Sequence, residues 1–234
     1  MNTNRQATTI AGALVIAGMI AGGLSVVPVL EDPNYLGLVV SQESQVFVGA
    51  FSQFIMIPAY VGFALCLYPA LRAVNETLSL GFLGFRLIAA MFHFIGVILL
   101  PLFLVLGQEF TQAGASGALH IEALGEVLRT GRDMVNHVAL IISLSLGDLL
   151  LFCILYRSRM VPRWLSVWGL IAAALAVSAS FLVLFRVTSV VTPLYLAINA
   201  PLALQSLVLA IRLIAKGFDT PTLTTHHQHD GPRG

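Results

Sequence analysis

Eight polar side chains in largely apolar stretches could carry chemistry: Gln53, Tyr60, Arg86, His93, His137, Asp148, Asn199 and Ser206. A charge inside a membrane span is costly, and such residues are retained for a reason. Arg86 lies eight residues into its apolar run, about 12 Å deep at 1.5 Å per helical residue. Asp148 lies eight residues before Tyr156, at the end of the next run. Consecutive spans are antiparallel, so the two reach similar depth and are expected to pair, each neutralising the other. The alternative for Arg86 is to snorkel towards lipid headgroups. His93 follows Arg86 by two helical turns on the same face. It could be a hydrogen-bonded core residue, a ligand contact or a base. His137 and Asp148 also share a face, eleven residues apart. Gln53 and Tyr60 are seven apart, as are Thr192, Asn199 and Ser206, with Tyr195 close by.

Lipid cannot satisfy such stripes, so they must face one another or water. The expectation is a polar seam or cavity among spans two, three, four and six. In its modest form the seam is interhelical glue at roughly 1 kcal/mol per hydrogen bond. In its sharper form it is a small-molecule pocket. Pro58, Pro101 and Pro201 each remove a helical hydrogen bond and free a carbonyl. Freed carbonyls beside polar groups build transporter sites, and they also bend ordinary bundles.

Six spans are needed to position these residues. The 234-residue chain is 58% hydrophobic and 10% charged, with a mean hydropathy of +0.91. Soluble domains carry about 25% charge. Spans of about 20 residues are read at residues 10–30, 46–71, 78–106, 135–156, 164–185 and 190–215. The fold class expected is all-α: one six-helix transmembrane domain over residues 1–218 and a disordered cytoplasmic tail over 219–234. The first run is read as a retained span rather than a cleaved signal, since its apolar stretch is long and no clear small-x-small cleavage site precedes Glu31.

Orientation follows the Lys/Arg asymmetry. One set of linkers carries Glu31, Asp32, Glu43, Glu109, Glu122, Glu126 and Asp133 against Arg129, Arg132 and Arg186. The other side carries Arg5, Arg72, Arg157, Arg159, Arg163, Arg212, Lys216 and Arg233, and is expected to be cytoplasmic with both termini. Arg157, Arg159 and Arg163 are candidates for anionic lipid headgroups. Trp164 and Trp168 suit the interface there. Cys66 and Cys153 read as small core residues rather than a disulfide.

Residues 118–131 in the long linker read as a short interfacial helix. Glu109, His120, Glu122, Glu126, Asp133 and His137 could assemble a zinc site in principle. No HExxH is present, and Glu126–Arg129 and Arg129–Asp133 ion pairs are the favoured reading. His226-His227-Gln228-His229 in the tail could bind a transition metal weakly. No metal site, cofactor or catalytic set is assigned. The chain has no Walker A, G-x-G-x-x-G, G-x-S-x-G or Cys-x-x-Cys motif, and its net charge of +1 disfavours nucleic acid.

The segments Leu67-Tyr68-Pro69-Ala70-Leu71, Leu80-Gly81-Phe82-Leu83-Gly84-Phe85-Arg86 and Pro201-Leu202-Ala203-Leu204-Gln205 carry a resemblance, and the run from Leu155 to Gly169 (Leu-Tyr-Arg-Ser-Arg-Met-Val-Pro-Arg-Trp-Leu-Ser-Val-Trp-Gly) carries it most specifically. Over about Arg5 to Phe218 the chain resembles a bacterial multi-span family catalogued as domain of unknown function 4386. The resemblance implies a six-span bacterial inner-membrane protein and no established activity. Members often look like Arg-x-x-Glu in the third span and Gln-Glu in the sixth. Here Ala89 and Ala90 follow Arg86, and Ser206 follows Gln205. Asp148 then reads as a replacement counter-ion for Arg86.

Three functions stay open. The first is binding or moving a small apolar or amphipathic ligand through the seam. The second is a structural or regulatory membrane protein without ligand. The third is an intramembrane enzyme using His93 or His137 as base. The expected partners are the bilayer, anionic lipid at the cytoplasmic face and such a ligand, with oligomeric state open.

Overall fold

A computed structural model describes residues 3–190 and 192–219 of the chain. The tail with its histidine run lies outside the described residues. Eight α-helices follow one another among these: α1 (Thr3–Leu24), α2 (Tyr35–Leu38), α3 (Glu43–Arg72), α4 (Glu76–Gln112), α5 (Ala115–Asp133), α6 (Leu140–Ser158), α7 (Arg163–Leu184) and α8 (Pro193–Ala215). Six helices are long and apolar enough to cross a membrane. The packing order is a closed ring, α1–α3–α4–α6–α7–α8 and back to α1.

Local chemistry sets the boundaries. The Asn75 side chain accepts the amide of Leu78 at 2.9 Å and starts α4. The Thr192 hydroxyl does the same for Tyr195, with Pro193 in the first turn of α8. Arg159 ends α6 in the left-handed conformation, at φ 55°. The ring closes through Arg5, whose guanidinium donates to the carbonyls of Leu213, Ile214 and Ala215 at 3.0, 2.7 and 2.8 Å. These are C-terminal α8 carbonyls that its own helix cannot satisfy.

The first span differs from expectation. Its helix stops at Leu24 rather than Leu30, because Pro28 cannot continue a helix and its ring conflicts with the carbonyl four residues back. Residues 25–42 instead turn across the end of the bundle at which α1 stops, in two 3₁₀ turns, Pro28–Glu31 and Val39–Gln42, and the short α2. They are not a solvated linker. Val27, Leu30, Tyr35, Leu36 and Val39 are buried with Leu100, Phe103 and Leu104 of α4. At 37 residues, α4 is about 55 Å long and overshoots a hydrocarbon core of about 30 Å. This segment and α5 pack along it. The helix read at 118–131 is α5. It leads into α6 through a π-helical turn, Met134–Ala139.

Helix direction puts Arg5, Arg72, Arg157, Arg163, Arg212 and Lys216 at one end of the bundle. Glu31, Asp32, Glu43, Glu109 and Asp133 lie at the other. Beneath the basic end, Leu67, Leu71, Phe82, Phe152, Leu155 and Leu165 form a sealed apolar cluster. The small residues of α7, Gly169, Ala172, Ala173, Ala176 and Ala179, are all buried and let neighbouring helices approach closely. Both cysteines are free and half-buried.

Candidate functional site

In the half away from the basic end the helices part around three adjoining cavities. The outermost, about 680 Å³, is walled by Glu31, Glu126, Arg129, Asp133 and Arg186, among others. Glu31 and Val190 also wall the next, a chamber of about 430 Å³. Tyr60, Ile141 and Leu144 are shared in turn with an inner chamber of about 270 Å³.

The floor is the Arg86–Asp148 ion pair. Gly147 places it: a Cβ there would stand 3.2 Å from that of Phe85, so the missing side chain lets α6 close on α4 and carries Asp148 to Arg86. The guanidinium is also faced by the rings of Phe63, Phe82 and Tyr60, at 5.2, 5.4 and 5.9 Å from their centroids. Cation–π attraction offsets part of the desolvation cost at such a site. Arg86 is therefore buried in the bundle rather than extended to lipid.

Of the other residues singled out from sequence, Tyr60, Asn199 and Ser206 line the inner chamber, and Gln53, Tyr60, His93 and His137 line the middle one. His93 stacks on Tyr60 with centroids 5.5 Å apart. The Nδ1 of His137 lies 3.0 Å from the Tyr195 hydroxyl. The two histidines thus belong to separate pairs in one chamber. Thr192 departs from the expected stripe: as the N-cap of α8 it also meets the Thr188 hydroxyl at 2.6 Å and lines the outermost cavity rather than either inner chamber. Arg157, Arg159 and Arg163 are exposed at the basic end, Arg163 over the Tyr156 ring at 5.3 Å.

The π turn has a definite consequence here. A π turn disrupts the regular i→i+4 ladder, and the His137 carbonyl accepts the Ser180 hydroxyl of α7 at 2.8 Å. The neighbouring Asn136 amide fills the notch left by Gly96 on α4.

Several chamber-lining polar atoms have no hydrogen-bond partner although buried: Oε1 of Gln53, both ring nitrogens of His93, Nε of Arg86, Oγ of Ser145 and Oδ1 of Asn136. Burying such a group unpaired costs about 1–3 kcal/mol, and each instance in a native fold calls for an occupant or another explanation. Sequence reasoning missed Ser145 and Asn136 because a lone serine or asparagine carries no spacing signal. It also missed α1, whose Val15, Met19 and Gly22, with Ser25 just beyond its end, complete the walls. That helix shows no interior ionisable residue to mark its face.

Among the described residues no three His, Cys, Asp or Glu side chains stand together as a metal set. In the linker, Arg129 pairs with Glu126 at 2.9 Å and lies over the Tyr35 ring at 5.7 Å.

No curated protein and no solved structure matches the chain. A family model described as Domain of unknown function (DUF4386) matches residues 10–217, nearly the whole helical ring, and the chain belongs to that family.

Proposed function

We propose that this multi-pass protein lies in the bacterial inner membrane with its basic end cytoplasmic, and that it binds a small amphipathic or lipid-like ligand in the two inner chambers, admitted from the carboxylate-bearing end. The observation that carries this reading is the set of buried, unpartnered polar atoms of Gln53, His93, Ser145 and Arg86 in the walls of two adjoining chambers that share Tyr60, Ile141 and Leu144. Ligand sites are concave, mostly apolar and equipped with a few convergent polar groups, at about 300–1,000 Å³. The apolar cluster towards the basic end supports loading from one side rather than an open pore. Arg157, Arg159 and Arg163 would hold anionic headgroups, worth about 1 kcal/mol each.

Native mass spectrometry of protein released from lipid nanodiscs tests the binding. One small-molecule adduct is expected, lost in Gln53→Met. Protein that flies bare, with a melting temperature unmoved when its native lipid extract is returned, would sink the reading. A C-terminal reporter active only in the cytoplasm tests the orientation, and silence there would reverse it.

A further inference from the structure

The charges around the two inner chambers are balanced. Arg86 is answered by Asp148 at the floor, and the middle chamber's mouth carries one Glu31 and one Arg132. The remaining polar walls are amides, hydroxyls and imidazoles. An ionic ligand would arrive without a free counter-charge, and burying an unpaired charge is among the costliest events in a protein.

The unpartnered atoms specify more. α3 and α4 are antiparallel, with Tyr60 against His93 and Gly49 facing Leu100. That register sets Gln53 about one turn from His93 along the same chamber. Oε1 of Gln53 is an acceptor and needs a donor. A neutral His93 offers one donor and one acceptor, neither used. Gln53, at 5% exposure, and His93, at 3%, have no bulk water to turn to. Beyond them the inner chamber presents Val15, Met19, Ile141, Leu144 and Leu202.

Resting on the binding reading above, we infer that the ligand is an uncharged amphipath. Its head, a hydroxyl or carboxamide, both donates and accepts hydrogen bonds between Gln53 and His93. Its apolar body lies over the Arg86–Asp148 pair. Asp148 sets this preference by cancelling the one charge at the chamber floor that would attract an anion.

Four probes sharing one ten-carbon tail test it: decanol, decanamide, decanoate and decylammonium. Each is titrated against the full chain in nanodiscs by native mass spectrometry, with Gln53→Met/His93→Phe as the reference that subtracts bilayer partitioning. Decanol and decanamide should bind the wild type about tenfold or more tighter than either ion, and the difference should vanish in the double variant. Asp148→Asn leaves Arg86 uncompensated and should gain decanoate binding. Where that variant does not assemble, the wild-type series decides. If decanoate or decylammonium binds the wild type best, the inference is overturned and the binding reading stands. If no probe binds the wild type above the double variant, both are overturned.

Discussion

The half of the bundle near the basic end and the half near the carboxylate-bearing end share the same helices, yet one is solid and the other hollow. Near the basic end, α3, α4, α6 and α7 fill their shared space with Phe63, Phe82, Phe152 and leucines. Towards the other end α3, α4, and α6 with the π turn before it present Gln53, His93, Ser145 and Asn136 around open volume, and all four keep polar atoms without partners. Without a hydrophobic drive between helices in lipid, packing and hydrogen bonds must hold the bundle. The solid half does that work. The hollow half forgoes it, which is tolerable where something else occupies the space. The contrast is not absolute: on the solid side the fully buried Gln205 gives its amide to the Leu165 carbonyl at 3.4 Å and leaves its own oxygen unpaired, and the buried Ser166 hydroxyl and Nε of Arg212 also lack partners.

The largest predicted effect lies on the border between the halves. Asp148→Ala removes the counter-charge and leaves Arg86 buried against aromatic faces. The expected loss is about 3–5 kcal/mol, read as a large fall in melting temperature in detergent. Replacing the pair together, Arg86→Met with Asp148→Leu, should recover most of it. If the single variant melts like the wild type, the pair does not hold the border.

Matched glycines give the next test. A Cβ on Gly169, in the solid half, would stand 2.5 Å from the Phe152 ring, which is held on all sides. Gly169→Ala should cost about 1–3 kcal/mol by overpacking. A Cβ on Gly96, in the hollow half, meets the end of the Asn136 amide, which has a chamber to swing into. Gly96→Ala should cost less than about 1 kcal/mol. Equal losses in thermal melts would erase the distinction between halves.

A smaller effect belongs to the π turn. Ser180→Ala removes the hydroxyl on the His137 carbonyl, and interhelical hydrogen bonds in membranes average about 0.6 kcal/mol. The expected shift in melting temperature is correspondingly slight. A loss several times larger would make the latch, rather than the solid half, the main brace of α7.

The helices, the sidedness of charge and the Arg86–Asp148 encounter were legible because each rests on a local rule: apolar length, Lys/Arg bias and the depth of antiparallel neighbours. The eight polar residues could be named for the same reason, since a polar group in an apolar run stands out. What could not be read was relational. Nothing near Leu24 reveals that residues 25–42 would fold back over an overlong α4. Spacing gave Thr192 to the polar stripe, where the following proline makes it a cap. The part of α1 in the chamber wall is invisible in sequence, because Val15 and Met19 look the same facing lipid or a cavity. Ring closure depends on Arg5 finding carbonyls more than two hundred residues away.

The smallest expected change in stability is also the most telling. If Gln53 and His93 were there to hold helices together, replacing them would weaken the bundle. Their unpaired atoms argue the reverse: a buried group without a partner already bears its desolvation cost, and an apolar isostere removes that cost. Gln53→Met and His93→Phe, assayed without ligand, should therefore melt at or slightly above the wild type. His93→Phe keeps a ring to stack on Tyr60, so packing is conserved while both nitrogens go. A fall of several degrees in either variant would mean that hydrogen bonds form there in the membrane, and the hollow half would then be braced by the very groups assigned to a ligand.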